Sequence, residues 1–176
     1  SAFEAGFKGS LLDGRVTFDV AGFYNIYDNL RSLEPQPVAI STTPALRFNV
    51  PLLASNGLSA RTWGTEAAAE WQPVEGWRMR GSYTFLRMET RSDSGSVDTF
   101  SAALADGSSP QHQFNLQSSA DLGENVEMDV ILRHATGLSA LQIDGYTTLD
   151  ARIGWRPMEG LELSLVGQNL AGGSRL

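Results

Sequence analysis

The sequence predicts an all-β protein, an antiparallel up-and-down meander of about eight strands. Three observations predict it. Apolar and polar residues alternate with a period of two along most of the chain, and no apolar stripe at helical spacing is sustained. The connections between candidate strands run short, long, short, long, short, long, short. The short ones carry residues that tight hairpin turns demand.

The first strand, 2–11, meets the second, 16–28, across Leu12-Asp13-Gly14-Arg15. Asp-Gly suits a two-residue type I′ turn because both central residues need positive φ. That turn pairs Lys8 with Asp19, Phe7 with Val20 and Phe3 with Tyr24. A long connection over 29–61 leads to the third strand, 62–72, which turns through Gln72-Pro73-Val74-Glu75-Gly76 into the fourth, 77–90. A turn centred on Val74 places Glu70 opposite Arg78. The loop 91–110 precedes the fifth strand, 111–121, and the short run Asp121-Leu122-Gly123-Glu124-Asn125 joins it to the sixth, 126–137. After the loop 138–146, the seventh strand, 147–156, turns at Pro157-Met158-Glu159-Gly160 into the eighth, 161–170, setting Arg156 opposite Glu162. All short turns thus fall at one end of the meander and all long loops at the other.

The two faces differ sharply. In the fourth strand Trp77, Met79, Gly81, Tyr83 and Phe85 oppose Arg78, Arg80, Ser82 and Thr84. In the seventh, Leu149, Ala151, Ile153 and Trp155 oppose Thr148, Asp150, Arg152, Gly154 and Arg156. Trp71 and Trp77 flank one short turn and Trp155 precedes another, which is the level an interfacial aromatic girdle would occupy. Strands of ~9–11 residues cross an outer membrane at their usual tilt.

The runs FEAGFKGSLLDGRVTFDVAGFYNIYDNL, GTEAAAEWQPVEGWRMRGSYTFL, PQHQFNLQSSADLGENVEMDVILRH and YTTLDARIGWRPMEGLELSLVGQNL resemble the carboxy-terminal barrel of TonB-dependent outer-membrane receptors. The specific part is the succession of E-x-G-x-K, then G-x-E with W-x-P, then Y-x-x-L-D-x-R-x-G-W-x-P leading to G-Q-N-L. The resemblance implies a barrel of about 22 strands in the bacterial outer membrane, plugged by an amino-terminal domain. It also implies import of a ferric siderophore, haem, cobalamin or a similar scarce ligand, with energy passed from TonB. The implied partners are outer-membrane lipid and lipopolysaccharide, the ligand, and the TonB complex through an amino-terminal part. This sequence departs from the pattern in having no plug, no TonB-contacting segment and no final strand after Gln168-Asn169-Leu170. The expectation is therefore a partial barrel holding eight late strands. Two other arrangements fit the same strand pattern: an autonomous eight-stranded barrel, structural, adhesive or enzymatic, and a soluble carrier with the apolar face inward.

Composition narrows the chemistry. Lys plus Arg number 13 against 20 Asp plus Glu, a net charge of −7, which argues against a grip on nucleic-acid phosphates. The absence of cysteine removes disulfides, thiolate metal sites and a Cys nucleophile. No run approaches the ~20 apolar residues of a membrane helix, and the amino terminus shows no basic region followed by a hydrophobic core.

No enzyme, cofactor or metal site is expected. His112 and His134 lie at strand ends without clustered carboxylates. Glu66 and Glu70 share a face, and a glycosidase couple is conceivable, but facing arginines make an ion-pair ladder the better reading. Ser92-Asp93-Ser94-Gly95-Ser96 lacks a nucleophile elbow and the Gly-Ser-Ser at 107–109 lacks phosphate-loop spacing. A lumen-facing set is expected in Lys8, Asp19, Glu66, Glu70, Arg78, Arg80, Asp150, Arg152, Arg156 and Glu162. In the loop 29–61, Arg31, Arg47 and Arg61 with Phe48 are candidates for an anionic, ring-bearing ligand; surface charge or lipopolysaccharide contact is the alternative for the same arginines.

Overall fold

The computed structural model describes residues 1–172. Eight strands form one sheet in which each pairs antiparallel with its neighbour: β1 (Ala2–Leu11), β2 (Val16–Pro35), β5 (Leu52–Val74), β6 (Trp77–Ser92), β7 (His112–Asp121), β8 (Val126–Ala135), β9 (Tyr146–Met158) and β10 (Leu161–Gly167). Between β2 and β5 a small hairpin, β3 (Ala39–Ser41) and β4 (Arg47–Asn49), makes a separate sheet. A short helix α1 (Ser101–Asp106) follows β6, and a 3-10 turn (Ser139–Leu141) precedes β9. The sheet does not close: β1 and β10 are its edges.

The meander follows the turn chemistry. Each of the four short turns holds a glycine with positive φ: Gly14 at 88°, Gly76 at 77°, Gly123 at 118° and Gly160 at 79°. These are backbone conformations in which a side chain is strained. The first hairpin has the expected register, with Phe3 opposite Tyr24, Phe7 opposite Val20 and Lys8 opposite Asp19.

The second hairpin differs from expectation. Glu70 stands opposite Arg80, because the turn closes at Glu75-Gly76, with Val74 opposite Trp77, rather than on Val74; the irregularity between Trp71 and Val74 shifts the ladder by one residue. A bulge of this kind leaves no period-breaking mark in the sequence beyond Pro73, which cannot donate to the ladder. The last hairpin keeps its expected centre, pairing Trp155 with Leu163, with an irregularity between Leu161 and Leu163.

The long connections are shorter than the sequence suggests. β2 continues to Pro35 through irregularities near Tyr27 and Leu30, and β5 begins at Leu52, so most of 29–61 is strand. Ser, Asn and Pro in this stretch read as loop, yet the two chains run alongside each other and satisfy one another's backbone groups. The loop 91–110 contains α1, and the eighth strand ends at Gly167 rather than at 170. There Asn169 turns the chain and donates its N–H to Asp150 at 2.8 Å.

This sheet has almost no interior. Among the described residues only Leu58, Ala60 and Ala135 are buried hydrophobics. The accessible surface is 12396 Å², whereas a compact monomer of 19.0 kDa exposes about 8,400 Å². Large apolar side chains stand in that surface: Phe3, Phe7, Val20, Ile153, Trp155, Leu163 and Leu165 are exposed. Nothing in the described chain packs on that face, so its solvent must be apolar or its partner large. Among the described residues no helix is long and apolar enough to cross a membrane.

Candidate functional site: the polar face and its clasped outer end

Strand alternation puts all ten residues of the expected lumen-facing set on one face of the sheet. Lys8 meets Asp19 at 2.8 Å. Glu70 meets Arg80 at 2.8 Å and, diagonally, Arg78 at 3.3 Å. The largest cluster spans β8, β9 and β10. Arg152 reaches Glu127 at 3.5 Å, Asp129 at 3.2 Å and Glu162 at 2.6 Å, while Arg156 bridges Glu162 at 3.4 Å and also Glu127. Arg133 pairs with Asp150 at 2.6 Å. Glu66 departs from the ladder: it faces Ala21 and Thr84 and, among the described residues, has no cation of its own.

Glu127, Asp129 and Arg133 were not among the expected residues. Their signal lies in the register across 138–146, where Asp129 falls opposite Arg152, and that loop is too long for its turn type to set the register. Between the charged clusters run Gln113, Asn115, Gln117 and Ser119, an uncharged polar row on the same face of β7. Open grooves of ≈ 430 and ≈ 560 Å³ lie along this face, one near Arg78 and Asp129 and one near Lys8 and Glu70.

The opposite face is apolar between two aromatic rows. Near the short turns Trp71 and Trp77 have ring centroids 6.5 Å apart, and the Trp77 indole N–H donates to Ser118 Oγ at 3.0 Å. Trp155 stands opposite Val126 nearby in the sheet. Toward the other end Tyr24 faces Trp63, and Tyr83 faces Phe114. Both histidines are engaged in this outer row: His112 Nδ1 lies 2.8 Å from the Tyr83 hydroxyl with its ring 5.2 Å from that of Phe85, and His134 Nδ1 lies 2.9 Å from Thr147 Oγ1. Among the described residues no group of three His, Cys, Asp or Glu side chains could hold a metal ion.

The four candidate ligand residues do not converge. Arg31 lies on the outer extension of β2, Arg47 and Phe48 on β4 opposite Ser41 and Ile40, and Arg61 on β5 opposite Ile26 and Glu89. Phe48 and Ile40 are 64% and 62% exposed, so the hairpin presents an uncovered apolar pair.

Two carboxylates that the sequence did not single out organise the outer end. Asp98 is only 3% exposed and accepts the N–H groups of Leu33 at 2.6 Å, Phe100 at 3.0 Å and Ser101 at 2.9 Å. Glu34, at the outer tip of β2, accepts the hydroxyls of Ser32 at 2.6 Å and Ser96 at 2.8 Å and the N–H of Val97 at 2.7 Å. The loop after β6 is thereby clasped onto the tips of β2 and β5. Hydrogen bonds to the ionised form drive both acids downward: the Leu33 and Ser101 N–H groups hold Asp98 far below the usual carboxylate range, and the Ser32 and Ser96 hydroxyls lower Glu34 against the opposing effect of burial.

An open sheet, apolar between aromatic rows on one face and ion-paired on the other, has the make-up of a barrel wall. The family model for the TonB dependent receptor-like β-barrel matches residues 1–170. The chain belongs to the TonB-dependent receptor family. Solved structures agree in fold. The ferric-catecholate import receptor Fiu from K12 E. coli is 20% identical with a TM-score of 0.62, over 96% of this chain and 23% of its own. The siderophore receptor PiuA from Acinetobacter baumannii is 15% identical with a TM-score of 0.71, over 97% of this chain and 24% of its own. The copper transporter OprC is 13% identical with a TM-score of 0.59, over 96% of this chain and 25% of its own. The chain therefore spans about a quarter of the length of these receptors. Comparison with curated proteins finds no match.

Proposed function

We propose that this chain forms part of the barrel wall of a bacterial outer-membrane receptor that imports a ferric siderophore with energy from TonB. The family match over residues 1–170 carries the reading. In it the apolar face meets lipid, and the charged set from Lys8 to Glu162 lines the lumen beside a plug supplied by an amino-terminal part. Eight strands with free edges at β1 and β10 need further strands to satisfy their backbone groups in a bilayer, which a larger barrel supplies.

The wall performs no covalent chemistry in this account. Its tasks are to hold a wet, charge-balanced lumen and to carry the outer loops. The hairpin holding Arg47 and Phe48, with Arg31 at the end of β2, is the ligand-facing element: guanidinium charge and an exposed ring suit an anionic catecholate. The clasp on Asp98 and Glu34 fixes the neighbouring loop, so that capture starts from a preorganised surface.

The test is uptake of radioiron by cells with and without the gene, each supplied with a panel of ferric siderophores and, separately, with copper. Loss of uptake for one siderophore, abolished equally by de-energising TonB, is the expected result. Unchanged uptake of every iron complex, or loss confined to copper, would overturn the siderophore assignment.

A further inference from the structure

The sequence holds one Asn-Gly dipeptide, Asn56-Gly57, and the fold sets it at the outer end of β5. Both residues fall in the irregularity between the rungs Leu30–Leu58 and Ser32–Ser55, where two residues of β5 face Arg31 of β2. A bulge disrupts the ladder locally, and glycine has no Cβ to shield its nitrogen. Asn56 is exposed, so water reaches its side-chain amide. The Gly57 N–H donates to Ser32 Oγ at 3.0 Å, and the Ser32 hydroxyl donates in turn to Glu34 Oε1 at 2.6 Å. Ser32 is fully buried, and Ser96 of the clasped loop reaches the same Glu34 oxygen at 2.8 Å. Two glycines that follow an aspartate are held by backbone instead: the N–H of Gly14 donates to the Leu11 carbonyl at 3.2 Å and that of Gly107 to the Ala103 carbonyl at 3.3 Å. At Gly57 a side-chain hydroxyl, itself part of the clasp, is the acceptor.

We propose that Asn56 is a site of spontaneous deamidation and that the Ser32 hydroxyl restrains it. The Gly57 nitrogen attacks the carbonyl carbon of the Asn56 side chain; a C–N bond forms, a cyclic imide closes, and the side-chain nitrogen leaves as ammonia with the proton that Gly57 gives up. Water then opens the imide at either carbonyl. One opening leaves aspartate, and the other leaves isoaspartate, with the backbone rerouted through the side chain. No oxidant or reductant takes part. The attacking nitrogen must first be released from Ser32, so the rate follows the fraction of time that the outer end of β5 stands locally open. Both products add a negative charge next to Gly57, at which a Cβ would stand 2.8 Å from Glu34 Oε1. Isoaspartate also lengthens the β5 backbone inside the bulge whose spacing sets Gly57 against Ser32. Conversion therefore works against the clasp, and a converted chain keeps a covalent mark of its having opened.

The test is a time course of the intact protein, purified in detergent and held in mildly alkaline buffer, with aspartate and isoaspartate at position 56 quantified by peptide mass spectrometry. Urea-unfolded protein gives the unrestrained rate. The folded parent should convert at Asn56 more slowly than that, and faster than at Asn49 or Asn125, which precede valine. Ser32→Ala should speed conversion by about two- to tenfold, the change in open population that one net hydrogen bond sets. Ser32→Thr, which keeps the hydroxyl, should stay near the parent. Gly57→Ala should slow conversion even though it crowds the clasp, because the new Cβ hinders the attacking nitrogen. Equal rates in the parent and Ser32→Ala would overturn the proposal, as would conversion at Asn49 or Asn125 that keeps pace with Asn56. If Ser32→Ala unfolds, seen as conversion at the urea rate, Asp98→Asn decides instead: it keeps Ser32 but frees the loop clasped beside it. A rate above the parent's supports the restraint, and the parent's rate overturns it.

Discussion

Asp98 accepts the backbone N–H of Leu33 at 2.6 Å, joining positions 65 residues apart in the chain. With Glu34 gripping Ser96 and Val97 at 2.8 and 2.7 Å, it ties the loop after β6 to the end of β2. Asp98→Asn removes the ionised acceptor for three N–H groups, and the loop 93–100 should then be cleaved by protease at least several-fold faster, with the barrel itself intact. Cleavage at the parental rate would show that the clasp holds nothing.

The same clasp has a defined pH response. Both carboxylates are depressed, so their contribution to stability is complete above the ordinary carboxylate range of about 4 and is lost only as pH falls below it. Protease resistance of this loop should therefore be flat between about pH 8 and pH 5 and decline below about pH 4. A decline centred near neutrality would mean that other groups hold the loop.

Gly57 tests the clasp by shape. A Cβ there would stand 2.8 Å from Glu34 Oε1, 2.9 Å from Ser96 Cβ and 3.1 Å from Ser32 Oγ. Gly57→Ala should expose the loop 93–100 as Asp98→Asn does, and combining the two should add little, because both open one contact. Full additivity in the protease assay would separate them.

Arg152 is the cation for three carboxylates, Glu127, Asp129 and Glu162. Arg152→Met leaves Asp129 without a cation and Glu127 and Glu162 sharing Arg156 alone, and should lower the urea midpoint of the folded barrel more than Arg78→Met, which leaves Glu70 still paired with Arg80. Equal midpoints would mean that solvent screens the cluster completely.

How far the sequence carried this account depended on the distance over which each feature is specified. Period two and the Asp13-Gly14 turn set the register of β1 on β2, down to Lys8 opposite Asp19, because every determinant lies within one hairpin. Glu70 lies opposite Arg80 rather than Arg78 because the turn closes at Glu75-Gly76 and not on Val74, and the one-residue irregularity near Pro73 leaves side-chain alternation on either side reading the same. The continuation of β2 to Pro35 and of β5 back to Leu52 was hidden by loop-forming residues whose backbone groups pair with each other. Glu34 and Asp98 were illegible for a simpler reason: each is an ordinary acid until a segment some 60 residues away closes on it. Arg31, Arg47, Phe48 and Arg61 looked like one group because a single long loop seemed to hold them, and the extra strand placed them on different elements.

The central claim is that one face of this sheet meets lipid and the other an aqueous lumen. Its cost can be read from substitution: Val20→Arg or Leu163→Arg should destabilise by ~2–4 kcal/mol if near mid-bilayer, while Asn115→Arg or Gln117→Arg should be mild.

The most direct measurement uses the chain's lack of cysteine. Single cysteines placed along β9 from Thr148 to Trp155, in the intact protein freed of any other cysteine, would carry a nitroxide in reconstituted outer-membrane lipid. The account predicts relaxation by oxygen at Leu149, Ala151, Ile153 and Trp155 and by a water-soluble nickel chelate at Thr148, Asp150, Arg152 and Gly154, alternating residue by residue. Nickel accessibility equal at both sets would contradict the barrel wall.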